Sequence, residues 1–517
     1  MNQEAHAQGT FEEELNDWFR RSPFFAIALF VHLLAFFAIN AIPWNQLRDP
    51  EPTFVIAVAP TPPPDSILEP EPAEPIEPEL IEPAPVETPV VAETVQTEQD
   101  SLVDAEADID FLSESPFQND NPATPLGIGG GGPLEHSDKL GRRRAQAANL
   151  SRPLDQAIHA GLDWLAEHQS DNGSWEARDF AINCGRGQEL SNGEGDALHD
   201  TGVTALAALA FLGIGETMEE GPYRQNLRGA ITWLREQQDR QSGLIGPSTS
   251  KEFLYDHAIA TLAFAEAYAG SKSPILRDSL SKAVEFCIAA QNPYSGWRYG
   301  APPNGENDTS VTGWMVLALA AAREAGIQTG DTCFEGALAF LDEVTDPDTG
   351  QAGYTARGTS SSRLPRLVSV YPIDQTEALT GVAVMSRAFV AGLRETDPLQ
   401  DELVKLGAER LLEHLPEWDA NGGGGGDSDW SEGDAGSTND MYAWYAGSYG
   451  LYQVGGQAWS VWRRAMEQAV LPNQRTAPPC LAGSWDPGGP WGSVGGRVYS
   501  TALMVLCLET QVRYERR

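Results

Sequence analysis

The chain has 517 residues, a formal net charge of −40 and five cysteines. A polyanion of this size with no basic patch repels phosphate backbones, so a nucleic-acid partner is excluded. The cysteines (Cys184, Cys287, Cys333, Cys480, Cys507) show no CxxC spacing, so no zinc or redox motif is indicated.

In chain order, residues 1–22 form a short segment expected on the cytoplasmic side. Phe24–Ile42 (FFAIALFVHLLAFFAINAI) then supplies an apolar run that, at ~1.5 Å rise per residue, just crosses a bilayer core. A cleaved signal peptide has a shorter apolar core and a small-residue cleavage site, and AINAIP is a poor one. Residues 23–43 are therefore expected to be a retained signal anchor. Arg20 and Arg21 before it and Arg48 after it give a weak bias for an inside N-terminus. His32 either faces a partner or snorkels, or makes a proton-sensitive contact. Residues 44–137 follow as an acidic Pro/Glu/Gly-rich tether. No Lys or Arg occurs between Asp49 and Asp138, and the repeated Glu-Pro prevents helix, sheet and collapse alike. The stretch carries about half of the net charge. GIGGGGP at 127–133 marks the boundary with the folded part, 138–517.

From Leu154 onward the chain repeats with a period of 50–70 residues. Each unit is an amphipathic helix, a Gly/Trp loop and a more apolar helix. First helices end in LDWLAEHQSDNGSW, ITWLREQQDRQSGLIG and VEFCIAAQNPYSGWRYG; second helices start near Thr201, Asp256, Thr309, Gln375, Asp440 and Arg497. Charge on one face places the first helices outside, and segments such as TGVTALAALAFLG, apolar all round, belong inside. Six hairpins make an open solenoid or a closed double ring. The last inner helix, RVYSTALMVLCLETQVRY, has no polar capping face, which favours closure. The fold expected is all-α, an α6/α6 toroid. Cys184 and Cys480 fall in corresponding loops of units one and six, neighbours only in a closed ring, so a ring-closing disulfide is a hypothesis suited to an oxidising compartment.

Gln169, Gly173 and Trp175, then Gln291, Gly296 and Trp297, then Gln474, Gly483 and Trp485, resemble the QW repeats of squalene-hopene cyclases and related prenyltransferases. That resemblance implies a terpenoid cyclase/prenyltransferase-like toroid over residues ~150 to 517. YDHAIATLAFAEAYA, GENDTSVTGWMVLALAAA and GSWDP…GRVYSTALMVLCLE are similar to membrane-anchored, uncharacterised bacterial proteins with prenyltransferase/squalene-oxidase repeats. The anchor and Glu-Pro run resemble the start of TonB-type energy transducers. Here Ala28 stands where that family has a serine, one turn before the membrane histidine, and the Lys-Pro half of its tether is missing.

The chemistry of these relatives does not carry over. Cyclases of this fold protonate a polyene with the middle Asp of DxDD; in Asp374-Gln375-Thr376-Glu377 a threonine stands there, and a hydroxyl cannot protonate an alkene. The DSDW at 427–430 lies in a glycine-rich loop. Zinc prenyltransferases need Asp, Cys and His, whereas this chain places Tyr442 and Ser500 at the Cys and His positions after Asp440, so no metal is expected. Thioester toroids place Cys and Gln three apart; Cys184 and Gln188 are four apart. Alternating carboxylates at Asp346 and Asp348, and at Asp427, Asp429 and Asp434, fit calcium ligands or solvated loops.

What remains is the ring of inner-helix N-termini. Asp and Thr there fit N-capping, with Asp256 expected as a cap. Capping does not explain the aromatics, the histidine and the arginine. The catalytic candidates are Asp256 and His257, with His257 held by Asp256 and facing the central cavity. The ligand-binding candidates are Tyr255, Asp308, Asp374, Glu377, Asp440, Tyr442, Trp444, Arg497 and Tyr499. The expected protein is a single-pass inner-membrane protein with a periplasmic toroid. It binds an isoprenoid, lipid or glycan ligand or an envelope protein partner and needs no cofactor; the alternative is an enzyme acting at the toroid mouth.

Overall fold

A computed structural model describes residues 143–185, 191–361, 377–419 and 439–513. The expected anchor, the tether, Asp374, the DSDW stretch and Gln188 lie outside the described residues. Among the described residues no helix is long and apolar enough to cross a membrane.

Among the described residues twelve long helices alternate between two concentric layers. The outer layer is α1 (Arg152–Glu167), α3 (Arg224–Glu236), α5 (Pro274–Ala289), α7 (Thr332–Val344), α9 (Glu402–Glu413) and α11 (Gly456–Val470). The inner layer is α2 (Asp200–Gly213), α4 (Phe253–Ser271), α6 (Thr309–Glu324), α8 (Ala378–Leu393), α10 (Met441–Val454) and α12 (Gly492–Leu508), and a short α13 (Thr510–Arg513) ends the described chain. Periodicity explains the layering. α1 buries Leu154, Ala157, Ile158, Gly161, Leu162, Trp164 and Leu165, a single stripe, whereas α2 buries every residue from Thr201 to Gly213. Each inner helix packs on the next, and α12 packs on α2, so the ring is closed: an α6/α6 toroid. The only β pairings among the described residues are isolated bridges in the loops, such as Trp297 with Asp308.

The Gln/Trp loops do the same job in three units. The last carbonyls of a helix lack intrahelical partners. Trp175 Nε1 donates to Leu165 O at 2.8 Å, Trp297 to Cys287 O at 2.7 Å and Trp485 to Val470 O at 2.9 Å, each near the end of the preceding outer helix. The glutamine amide ties its own loop to the next outer helix: Gln169 donates to Gly173 O and Asn226 O, and Gln291 to Ser295 O and Cys333 O. Gln474 donates to Gly483 O and to Ala157 O of α1, which carries the pattern across the point of closure.

That seam has further fasteners. Cys184 and Cys480 form a disulfide with Cα atoms 6.1 Å apart. Trp164 Nε1 donates to Cys480 O at 2.8 Å. Gly483 sits at φ +101° with its Cα pressed onto α1, and a Cβ there would lie 2.2 Å from Ala160 O. Gly483→Ala must both adopt a left-handed backbone and push back a helix, so a loss of about 3 kcal/mol is expected. A urea midpoint unchanged from wild type would contradict it.

Aromatic side chains reach across the ring. Trp314 of α6 stacks on Tyr442 and Tyr445 of α10 at 6.2 and 5.3 Å, although α8 lies between those helices in the ring. Tyr445 in turn meets Tyr449 at 4.4 Å. At the C-terminal end of the inner helices Arg513 pairs with Glu266 of α4 and, at 3.1 Å, with Glu509, while its guanidinium lies over Tyr449. Arg143 joins this cluster through Leu212 O and Glu266.

Candidate functional site

The inner-helix N-termini gather most of the aromatic and acidic candidates at one end. Asp308 is the N-cap of α6: its Oδ1 accepts from Val311 N–H at 2.8 Å. Its Oδ2 accepts from Tyr354 OH at 3.2 Å, and Tyr354 and Tyr299 hydroxyls lie 2.6 Å apart. The Arg298 guanidinium stands over both Tyr299 and Tyr354, 5.3 and 5.6 Å from their centroids, with Nε 3.7 Å from Asp308. Tyr255 meets Tyr299 at 6.3 Å, and Lys251 caps the Tyr299 ring. Asp308 and Tyr442 both lie close enough to Tyr255 to raise its phenol, after burial itself. The fold thus brings Tyr255, Asp308 and Tyr442 together. Tyr299, Tyr354 and Arg298 were not among the candidates, yet the sequence held a signal: Tyr299 stands two residues after the loop Trp297, and Tyr354 directly follows Gly353 in the QAGY of the next loop.

Asp440 caps α10, accepting from Ala443 N–H at 3.0 Å, and Tyr499 lies near it and Tyr442. Asp200 does not cap its own helix; it accepts from Ala177 N–H in the first-unit loop. Glu377 and Trp444 line a separate cleft of about 390 Å³ with Leu411, His414 and Trp462. There Glu377 accepts from Arg410 Nε and Thr380 OH, each at 2.6 Å, and Trp418 tilts against Trp444 at 5.9 Å.

Three expectations meet a different geometry. Asp256 is not a cap, because α4 begins a turn earlier with Glu252 as its N-cap. Its carboxylate lies 3.1 Å from Nδ1 of His199, not His257. His257 turns outward into the wall between α4 and α5, where Nδ1 accepts from Ile245 N–H at 3.1 Å and Nε2 donates to Ala283 O at 3.2 Å. The reason is helical rotation: consecutive residues lie about 100° apart, so Asp256 and His257 cannot face the same space. Arg497, 1% exposed, is consumed by the seam, binding Asp486, Ser484 and Asn192. In the Asp346 loop, the carboxylate accepts from the Asp348 and Thr349 N–H groups and from the Thr349 hydroxyl of its own turn.

The electrostatics of the mouth favour protonated carboxyls. Burial raises Asp308 to about 7 and Asp200 to about 6. Burial lowers His199, but the hydrogen bond and charge of Asp256 outweigh it and the net shift is upward. The folded chain therefore holds more protons on Asp308 and His199 than the unfolded chain does near neutrality. Stability is lost as pH rises through their folded pKa values. His257, pushed down to about 4 by burial, opposes this only below its ordinary value of 6.5. From Asp308, unfolding free energy is expected to fall as pH rises from its ordinary value of 3.8 to its folded value of about 7, by up to about 1.4 kcal/mol per pH unit. Asp308→Asn keeps an N-cap acceptor and should flatten the slope; a variant with the wild-type slope would show that Asp308 is not its source.

Residues 142–360 match the squalene-hopene cyclase C-terminal domain family. No curated protein matches the chain significantly. Among solved structures, it is similar to an α-1,6-mannanase of glycoside hydrolase family 76 from Salegentibacter sp. HEL1_6, with TM-score 0.46 and 10% identity over 69% of this chain and 98% of that one. A family 76 glycoside hydrolase from a bovine Bacteroides thetaiotaomicron strain has TM-score 0.47 and 10% identity over 70% and 78%. The type II terpene cyclase MstE from Scytonema has TM-score 0.42 and 14% identity over 70% and 98%. The described residues form an α/α toroid, and the stretch 142–360 matches the squalene-hopene cyclase C-terminal domain family.

Proposed function

We propose that this protein is a membrane-tethered periplasmic binding protein whose toroid holds an envelope glycan across the mouth formed by the inner-helix N-termini. The observation that carries the reading is the hydrogen-bonded array Tyr299–Tyr354–Asp308 beside Tyr255, braced by Arg298. Aromatic faces with polar tips suit sugar rings, which present C–H faces and hydroxyl edges together. An isoprenoid chain is supported less, because the axial space it would enter holds Trp314, Tyr442, Tyr445 and Tyr449. The anchor Phe24–Ile42 and the Glu-Pro tether support placement at the inner membrane, with the toroid reaching outward.

The test is calorimetric titration of the full-length chain in detergent with defined cell-wall oligosaccharides, alongside mass spectrometry of what co-purifies. Tyr299→Ala is expected to weaken glycan binding at least tenfold, by about 1.4 kcal/mol or more, while the far-UV spectrum stays unchanged. Unaltered affinity, or a stoichiometric co-purifying isoprenoid, would overturn the reading.

One observation favours a second reading, an enzyme at the same mouth: a carboxyl raised to about 7 can carry a proton at neutral pH, as a general acid must. Turnover of a bound oligosaccharide that disappears in Asp308→Asn, with binding retained, would select it over a binding protein.

A further inference from the structure

Away from the mouth, at the seam between the first and last units, His168, Cys184 and Cys480 place one ring nitrogen and two sulfurs within 4.8 Å of one another. The ring of His168 is fully buried and stacks on Trp164 at 4.1 Å, which fixes its plane. Nδ1 lies 2.8 Å from the carbonyl of Trp164, an acceptor only, so Nδ1 carries the proton and Nε2 the lone pair. Among the described residues that Nε2 has no hydrogen-bond partner. A buried nitrogen without one is costly unless something else uses its lone pair. A histidine whose other nitrogen donates to a backbone carbonyl is also the arrangement that orients an imidazole toward a metal ion.

We propose that these three residues form a redox-gated site for a zinc-type divalent ion. With the disulfide formed, the sulfurs are bonded to each other and the site is closed. Two equivalents of a thiol reductant deliver two electrons and two protons: the S–S bond breaks, Cys184 and Cys480 become thiols, and the reductant leaves as its own disulfide. Zinc then displaces the two thiol protons and takes two thiolates and Nε2 of His168, leaving a fourth position for water. Tetrahedral geometry with Zn–S near 2.3 Å asks the sulfurs to stand about 3.8 Å apart. Both backbones are anchored, Cys480 through its carbonyl by Trp164 and Ser191 and Cys184 by Ala181, so opening the sulfurs to that span falls to side-chain rotation. Either state cross-links unit one to unit six, so the seam stays fastened while its chemistry changes. Neither cysteine is near the other in sequence, and no ligand spacing announces the trio.

The experiment uses the full-length chain in detergent, reduced anaerobically with a phosphine, freed of reductant and titrated with Co²⁺ and then Zn²⁺. The expected result is one ion per reduced chain, with thiolate-to-cobalt charge-transfer absorption and tetrahedral d–d bands, and none per oxidised chain. His168→Gln should weaken Zn²⁺ at least tenfold with the thiol count unchanged, and Cys184→Ser/Cys480→Ser should abolish binding. X-ray absorption of the zinc-loaded wild type reads the ligands without any variant: two sulfurs near 2.3 Å and a nitrogen near 2.0 Å support the site. A reduced wild type that binds no more metal than the double serine variant, or a zinc shell without sulfur, would overturn it.

Discussion

Cys184→Ser/Cys480→Ser is expected to lower the folding stability of the toroid by about 5 kcal/mol, on the chain-entropy account of a cross-link that closes a loop of this length. The two residues are 296 apart in sequence. The effect arises in the unfolded chain, because the native seam keeps its other fasteners: Gln474 on Ala157, and Arg497 on Asn192 and Asp486. Folded geometry should therefore survive while the urea midpoint falls, and reduced wild type measured with a chelator present should match the variant. Equal midpoints for oxidised and reduced chains would mean that the bond restrains little that the seam does not already hold.

The second large effect is expected at the opposite end of the ring. Arg513→Ala removes the cation shared by Glu266 and Glu509, both fully buried, and the donor to Leu209 O. The loss leaves Glu266 with Arg143 alone and Glu509, a carboxyl that burial pushes up to about 8, without its partner; the expected cost is about 3 kcal/mol, the low end for breaking a buried pair from one side. The gain from the pair itself is smaller, since desolvation offsets most of the attraction. Arg513→Met combined with Glu509→Leu leaves Arg143 and Glu266 as a balanced pair and is expected to recover most of the loss. Thermal unfolding of the single and double variants checks both statements; a double variant as unstable as Arg513→Ala would refute this account of the cluster.

Much of the architecture was legible because it rests on local periodicity. Helix type, inner or outer placement and hairpin order follow from which faces are apolar, and the inner helices begin within a few residues of the starts read from the chain. The Gln/Trp loops were legible too, because one loop serves one helix end. Ring closure needed one further argument, the absence of a polar cap on the last helix, and the seam bears it out with bonds across more than 300 positions, as from Gln474 to Ala157.

The site was only partly legible. Side-chain partners depend on helix rotation and on loops that meet through the ring, neither of which a single segment encodes. Asp256 and His257 are neighbours in the chain, yet they face different helices and take different partners. Tyr299 and Tyr354 are 55 residues apart and share a hydrogen bond. His168, Cys184 and Cys480 meet only because the ring closes. The sequence by itself determined the repeat, the layers and the kinds of residue at the mouth, through local hydrophobic pattern and helix-end chemistry. Only the tertiary structure decided which of those residues meet, because closure brings together groups whose separation along the chain carries no trace of their separation in space.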